Sequence, residues 1–270
     1  MSLKMVVTDL DGTLLTSADT LTPATAAAFT DLAAQNIISV IATGRMYQEA
    51  QFAAEHIGAT RYFIGMNGAQ TVDLHTQRVI YEKTLDEVTV GALVEILDAL
   101  GLFYQIYSHR AVYARARWVN DMGASGMKAE YIRRFAALIR PFTDAEDLCA
   151  VKFFVICKDD DIKAELQRRI TALNTVTMVS SYPGYFEILP RGLNKGDALL
   201  RLCAHLDISP QSVAAIGDSD NDVEMLMQAG VAIAMGNAYP RIKDIADHIV
   251  PRNDEDGVAF ALTHIIPKYL

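Results

Sequence analysis

Short apolar runs that break off into polar clusters recur along the chain. Val6-Val7-Thr8 leads into Asp9-Leu10-Asp11-Gly12-Thr13, and Ile37 to Ala42 leads into Thr43-Gly44-Arg45. Val213 to Gly217 leads into Asp218-Ser219-Asp220-Asn221-Asp222, and Val231 to Met235 leads into Gly236-Asn237-Ala238. Runs that are apolar at consecutive positions predict parallel strands covered on both faces. Between the first two lies a segment opening at Thr22-Pro23, with Ala26, Ala27, Phe29, Leu32 and Ala33 at helical spacing. A capping hydroxyl followed by proline marks its start. A helix from after Arg45 to about Ile57 and a strand over Tyr62 to Gly65 complete a βαβαβ pattern, the signature of a parallel sheet with right-handed crossovers.

From about Thr84 the rhythm changes. The pattern predicts a helix over 86–100, strands over 103–107 and 111–115, a polar helical stretch over 120–139, a strand over 150–156, a helix over 160–173, and strands over 176–180 and 185–189. Helix-strand-strand order near both ends of this block predicts a largely antiparallel sheet with helices on one face. The parallel rhythm resumes with a helix over 195–206, a strand over 213–217, a helix over 220–229, a strand over 231–235, a short helix after Pro240, a strand over 248–250 and a helix from Gly257. The expected fold class is α/β: a Rossmann-like doubly wound parallel sheet core over 1–83 and 191–270, with an inserted α+β cap domain over 84–190 roofing the strand ends. In open sheets of this kind ligands gather beyond the carboxyl ends of the strands.

Composition narrows the function. With 51% hydrophobic residues in 270, the chain can bury a full core, and its length suits one large domain plus a second. A net charge of −9 argues against a nucleic-acid partner, because affinity for a phosphate backbone comes from clustered Lys and Arg. Any phosphate ligand must therefore be captured locally. Three cysteines without Cys-x-x-Cys spacing indicate neither a disulfide framework nor a zinc site, and read as packed thiols of a reducing cytoplasm. No apolar stretch approaches the roughly 18 residues needed to span a bilayer. Nothing in the sequence sets an oligomeric state.

Two acids at a strand end call for a cation or a reaction. The plainer reading of Asp-x-Asp-Gly-Thr is a polar turn in which glycine supplies a positive φ, and the acids from Asp218 to Asp222 would be welcome at any helix start. Phosphoryl transfer uses all four clusters at once, since it demands an oxyanion nucleophile, neutralisation of phosphate charge and protonation of the leaving alkoxide. Asp9 can attack phosphorus, and Asp11 can serve the leaving oxygen and then the attacking water as acid and base. Asp9 and Asp218 would share Mg²⁺, a cation that prefers hard oxygen ligands. Thr43 and the backbone near Gly44 can hold phosphate oxygens, and Lys195 can screen the nucleophile as a compact positive charge. Arg45 remains open between a functional residue and a surface residue at a helix start, and Asn194 is open to being only a helix cap.

Asp9-Leu10-Asp11-Gly12-Thr13, Ala42-Thr43-Gly44-Arg45, Lys195 within Gly192-Leu193-Asn194-Lys195-Gly196, and Gly217-Asp218-Ser219-Asp220-Asn221-Asp222 occur in that order. With them the chain resembles the haloacid dehalogenase superfamily over its whole length. The Asn67-Gly68-Ala69 turn, Glu187-Ile188-Leu189-Pro190 and Met235-Gly236-Asn237-Ala238 resemble its Cof-type subfamily with a C2B-type cap. The resemblance implies Asp9 as nucleophile, Asp11 as acid and base with its backbone carbonyl on Mg²⁺, Asp218 as the other metal ligand, and Asp222 as a supporting acid. It also implies phosphate contacts from the Leu10 N–H, Thr43, Gly44, Lys195 and Asn221. Ser219, where many relatives carry Asn, is a departure that leaves any support for the metal's waters less defined.

The expected activity is Mg²⁺-dependent hydrolysis of a small-molecule phosphate ester, a sugar phosphate or similar, through an aspartyl phosphate. A phosphomutase returning the phosphoryl group to sugar, and a non-enzymatic phosphoacceptor module, are the competing readings. Tyr104, Tyr107, Arg110, Tyr113, Arg115, Arg117, Tyr182 and Tyr185 are the polar and amphipathic residues of the cap, of which one or two would touch substrate.

Overall fold

The computed structural model describes residues 2–57, 60–108, 111–127, 129–143 and 148–270. The chain divides into one unit of Met1–Glu82 with Leu193–Leu270 and a second of Lys83–Gly192.

In chain order the first unit opens with β1 (Met5–Thr8), α1 (Pro23–Ala34), β2 (Ile38–Ala42), α2 (Tyr47–Ile57), β3 (Thr60–Gly65), β4 (Gln70–Asp73) and β5 (Arg78–Glu82). The second unit carries α3 (Glu87–Ala99), β6 (Phe103–Tyr107), β7 (Val112–Arg115), α4 (Ala116–Asn120), α5 (Ala129–Phe135), β8 (Ile139–Phe142), β9 (Lys152–Ile156), α6 (Asp160–Leu173), β10 (Val176–Tyr182) and β11 (Tyr185–Pro190). The first unit resumes with α7 (Lys195–Leu206), β12 (Val213–Gly217), α8 (Val223–Gln228), β13 (Val231–Ala234), α9 (Pro240–Ile245), β14 (His248–Ile249) and α10 (Gly257–Phe260).

The first sheet has the order β14-β13-β12-β1-β2-β3-β4-β5, parallel from β14 to β3 and antiparallel beyond. α1 contacts α2 and α10, while α8 contacts α7 and α9, two helix groups as a doubly wound sheet requires. β1 is buried at every position, which explains why its residues are apolar without alternation. Met5, Phe29, Leu32, Leu199, Leu202 and Ile216 belong to this core. Each such side chain contributes about 1.5–3 kcal/mol on leaving water. Local signals set the helix starts: the Thr22 hydroxyl accepts from Thr25 N–H at 3.2 Å, and Asn194 accepts from Asp197 N–H at 2.7 Å. Asn194 is thus the cap of α7.

The second sheet runs β10-β11-β9-β6-β7-β8, antiparallel except for the β7–β8 pair. Tyr104, Ile106, Phe153, Val155, Phe186 and Ile188 point into one core with Leu93 and Leu97 of α3 and Leu166 and Ile170 of α6. Alternate positions of the same strands carry Gln105, Tyr107, Lys152 and Glu187, and Lys152 Nζ lies 2.9 Å from Glu187 Oε1. Arg110 and the side chain of Tyr182 lie outside the described residues.

The sequence pattern misses three strands. β4 is Gln-Thr-Val-Asp, yet all four residues are buried; Gln70 Nε2 donates to Glu82 Oε1 of β5 at 2.7 Å, so hydrogen bonding replaces the apolar signal. β5 is a largely exposed to half-buried edge strand. β8 is buried only at Ile139 and Phe142, too short a run to register. The single helix expected over 120–139 is instead broken into α4, a 3₁₀ turn at Met122–Ser125 and α5 before β8 begins. The helix expected from Asp220 starts as a 3₁₀ turn, Asp220–Asp222, closed by reciprocal capping between Ser219 and Asp222. Among the described residues, no helix is long and apolar enough to cross a membrane.

Candidate active site

β1 ends at Thr8, and the Asp9 N–H still donates to Ile216 of β12 at 2.9 Å, so the Asp9 side chain leaves the sheet edge on a fixed backbone. The chain then turns through Leu10–Leu14, closed by Leu15 N–H to the Leu10 carbonyl at 2.9 Å. Gly12 takes φ +76°, and a Cβ there would sit 2.6 Å from Asp218 Oδ2. Only glycine satisfies both the conformation and the approach. The turn is braced from behind: Asn237 Nδ2 donates to the Gly12 carbonyl at 2.7 Å, and Asn253 Nδ2 to the Leu15 carbonyl at 2.9 Å. Asn253 N–H in turn donates to Asn237 Oδ1 at 3.0 Å.

The end of β12 faces the end of β1. Thr13 Oγ1 donates to Asp218 Oδ1 at 3.0 Å. Asp222 accepts the Asp218 and Ser219 N–H groups on Oδ2, at 3.0 and 3.1 Å. Its Oδ1 accepts from Lys195 Nζ at 2.7 Å, and the same ammonium reaches Asp9 Oδ1 at 2.6 Å. Lys195 is fully buried although it opens α7, where the helix dipole disfavours a cation. Two carboxylates offset that cost.

Thr43 and Gly44 follow β2. Thr43 is buried, its Oγ1 accepting from Arg45 N–H at 3.1 Å. Asn221 is directed to Asn67, Nδ2 donating to Oδ1 at 3.1 Å, and Ser219 Oγ donates to Asn221 Oδ1 at 2.8 Å. Leu10 buries its side chain, so its peptide group is what it offers on the polar side. Arg45 is not a surface residue: only 20% of its side chain is exposed. It donates from Nε to Asp11 Oδ2 at 3.0 Å, from Nη2 to Asp11 Oδ1, and from Nη2 to Asp19 Oδ1 at 2.8 Å. Asp11 is therefore gripped by guanidinium and half exposed, while Asp9, Lys195, Asp218 and Asp222 come together. The partners of Thr13, Arg45 and Asn253 were not foreseen. Asp-x-Asp-Gly-Thr and Thr-Gly-Arg contain two of these residues, but nothing local names an acceptor for either.

The electrostatics are lopsided. Carboxylate oxygens of Asp9, Asp218 and Asp222 lie within 4.8 Å of one another around one ammonium. Burial, then the Asp222 carboxylate, drives the Asp9 carboxyl well above the usual range, against the pull of Lys195. The same two causes push Asp218 up to about 6. Burial would lower the Lys195 ammonium, but Asp222 and Asp9 outweigh it and hold its pKa above the ordinary value. Asp218 also raises the Asp9 carboxyl, as a neighbouring negative charge does. A cation placed among these carboxylates would relieve that repulsion. Asp222 has both oxygens engaged by Lys195 and backbone amides. Asp9, Asp218 and Asp222 could hold a cation, and three carboxylates against one ammonium suit a hard divalent ion.

Over residues 6–262 the chain matches the haloacid dehalogenase-like hydrolases. Phosphatase YwpJ of Bacillus subtilis is 30% identical, the alignment covering 98% of this chain and 100% of YwpJ. The 5-amino-6-(5-phospho-D-ribitylamino)uracil phosphatase YcsE of the same bacterium is 28% identical, covering 98% and 96% of the two chains. A solved haloacid dehalogenase-like hydrolase from Bacteroides thetaiotaomicron resembles the fold with a TM-score of 0.85 at 26% identity, covering 97% of this chain and 99% of that one.

Proposed function

Since the chain belongs to the haloacid dehalogenase-like hydrolases and is a phosphatase, we propose that it is a Mg²⁺-dependent hydrolase of small phosphate monoesters working through an aspartyl phosphate on Asp9. The observation that carries this reading is the buried Lys195 ammonium, 2.6 Å from Asp9 and 2.7 Å from Asp222, beside Asp218. Asp9, Asp218 and the backbone carbonyl of Asp11 would hold the ion, whose charge lets a carboxylate meet a phosphate dianion. Thr43, Gly44, Asn221, Lys195 and the Leu10 N–H take the phosphate oxygens. Asp222 keeps Lys195 and the Asp218 backbone in place.

In the first step an Asp9 oxygen bonds to phosphorus as the bond from phosphorus to the ester oxygen breaks, and the departing alkoxide takes a proton from Asp11. In the second, water bonds to phosphorus, its proton passes to Asp11, and the bond from phosphorus to Asp9 breaks to release inorganic phosphate. Asp11 must turn away from Arg45 to donate, because a guanidinium grips a carboxylate as acceptor. Asp19 keeps Arg45 in place meanwhile.

Relatives named for a phosphorylated ribitylaminouracil and an HMP-PP substrate support a small phosphorylated metabolite, sugar phosphate or similar. The buried thiols of Cys157 and Cys203 fit a reducing cytoplasm. The test is phosphate release from a panel of sugar phosphates, phosphorylated cofactors and nucleotides, with Mg²⁺ and with chelator. Release of inorganic phosphate with Mg²⁺ alone is expected; isomerised sugar phosphate without release would make the chain a mutase.

A further inference from the structure

The Met66-Asn67-Gly68 turn after β3 takes no part in the chemistry above, yet it is the most contorted stretch near the strand ends. All three residues have positive φ: +51°, +53° and +95°. For methionine and asparagine that conformation costs on the order of 1 kcal/mol or more each. The surroundings hold it there. Met66 N–H donates to the Arg45 carbonyl at 3.1 Å, and Asn67 N–H to the Thr43 carbonyl at 3.0 Å. At Gly68 a Cβ would lie 2.4 Å from the Asn194 carbonyl oxygen, so the turn also presses on the residue preceding Lys195.

The Asn67 side chain completes the link. It is buried, and its Oδ1 accepts from Asn221 Nδ2 at 3.1 Å. Its Nδ2 and Oδ1 lie 3.3 Å from where a side chain on Gly44 would begin. One amide thus lies against the loop after β2 and binds the loop after β12, while its backbone hangs from Thr43. These loops are more than 150 residues apart in sequence, and β1 lies between their strands in the sheet.

We propose that Asn67 is a positioning residue for phosphate: its amide fixes Asn221 and the Gly44 backbone so that phosphate oxygens meet donors already in place. This rests on the reading that Thr43, Gly44 and Asn221 hold the phosphate. Donors set beforehand need no reorganisation when the anion arrives. The strained turn is the means of bringing that amide to both loops.

Asn67→Gly separates the two parts, since glycine keeps the positive φ without cost and deletes only the amide. With Mg²⁺ present, KM for the best ester and the inhibition constant for inorganic phosphate should each rise about tenfold, the effect of leaving a hydrogen-bond partner unheld. The thermal midpoint should stay within a few degrees of wild type. In Asn67→Gly/Asn221→Ala, the second change should add less than its effect alone, as for residues that act together. A purely structural role would lower the midpoint and leave KM and phosphate inhibition unchanged. Should Asn67→Gly not fold, Asn67→Ser, too short to reach Asn221, carries the same expectation. Wild type that neither releases nor binds phosphate defeats the phosphatase reading and this inference together. An active wild type whose Asn67 variants keep their KM and phosphate inhibition, or combine additively with Asn221→Ala, defeats this inference alone.

Discussion

Lys195 in the first unit and Lys152 in the second are both buried ammonium groups against a carboxylate, at 2.6 and 2.9 Å. Their settings differ. Lys152 bonds Glu187 across neighbouring antiparallel strands and lies 4.7 Å from the centre of the Tyr107 ring. Lys195 stands among three acids, Asp9, Asp218 and Asp222, the one such acidic group among the described residues. Buried charge by itself marks nothing; an excess of one sign that the protein does not neutralise marks a place for a cation, a proton or a reacting group.

The hardest test of that contrast is Asp9→Asn. It keeps the shape and removes the nucleophile, so kcat for phosphate release should fall by about 10⁴-fold or more while the fold persists. Near-normal metal-dependent turnover would end the assignment. Next come the two lysines. Lys195→Met leaves three acids without their ammonium, and Lys152→Met leaves Glu187 buried without it; each should cost about 3–5 kcal/mol in denaturant unfolding. Turnover per folded molecule should collapse only for Lys195→Met. An equal collapse for both would erase the distinction.

Gly12→Ala probes the same acids without touching a charge. It places a methyl against Asp218 on a backbone at φ +76°, for a loss of about 2–4 kcal/mol and weaker Mg²⁺ binding by titration calorimetry. The smallest effect is in pH. The Asp218 carboxyl is pushed to about 6 in the fold against 3.8 for the free group. Between those values the metal-free folded chain binds more protons than the unfolded one, so this group's stabilisation is complete below pH 4 and is lost as pH rises through 6. Mg²⁺ must displace that proton, which reverses the trend. The gain in melting temperature on adding Mg²⁺ should be greater at pH 7.5 than at pH 5, where affinity falls about tenfold through Asp218 alone. A gain that ignores pH would place the ion elsewhere.

Much of the architecture was legible where burial is one-sided or complete. α6 and α7 begin and end where their caps and apolar spacing put them, and β1, β2, β12 and β13 show as nearly continuous apolar runs because both faces are covered. β4 was hidden because its buried residues Gln70, Thr71 and Asp73 are polar, Gln70 and Asp73 being held by hydrogen bonds rather than apolar surface. The candidate site was legible as residue types: acids, a threonine, a lysine and glycines at strand ends. The grip of Arg45 on Asp11 and Asp19 was not, since a guanidinium at a helix start reads as solvated until its partners are seen.

The sequence alone determined that β1, β2, β12 and β13 are buried, where α1, α6 and α7 start, and that carboxylates, hydroxyls and a lysine follow the apolar runs, because each of these depends on neighbours a few residues away. Tertiary structure alone decided which acid takes which partner. Lys195 lies 186 positions from Asp9, Thr13 lies 205 from Asp218, and Asn67 lies 154 from Asn221. Only the parallel order of β12, β1, β2 and β3 brings such groups within bonding distance, and hydrogen bonds act over ångströms of space rather than along the chain.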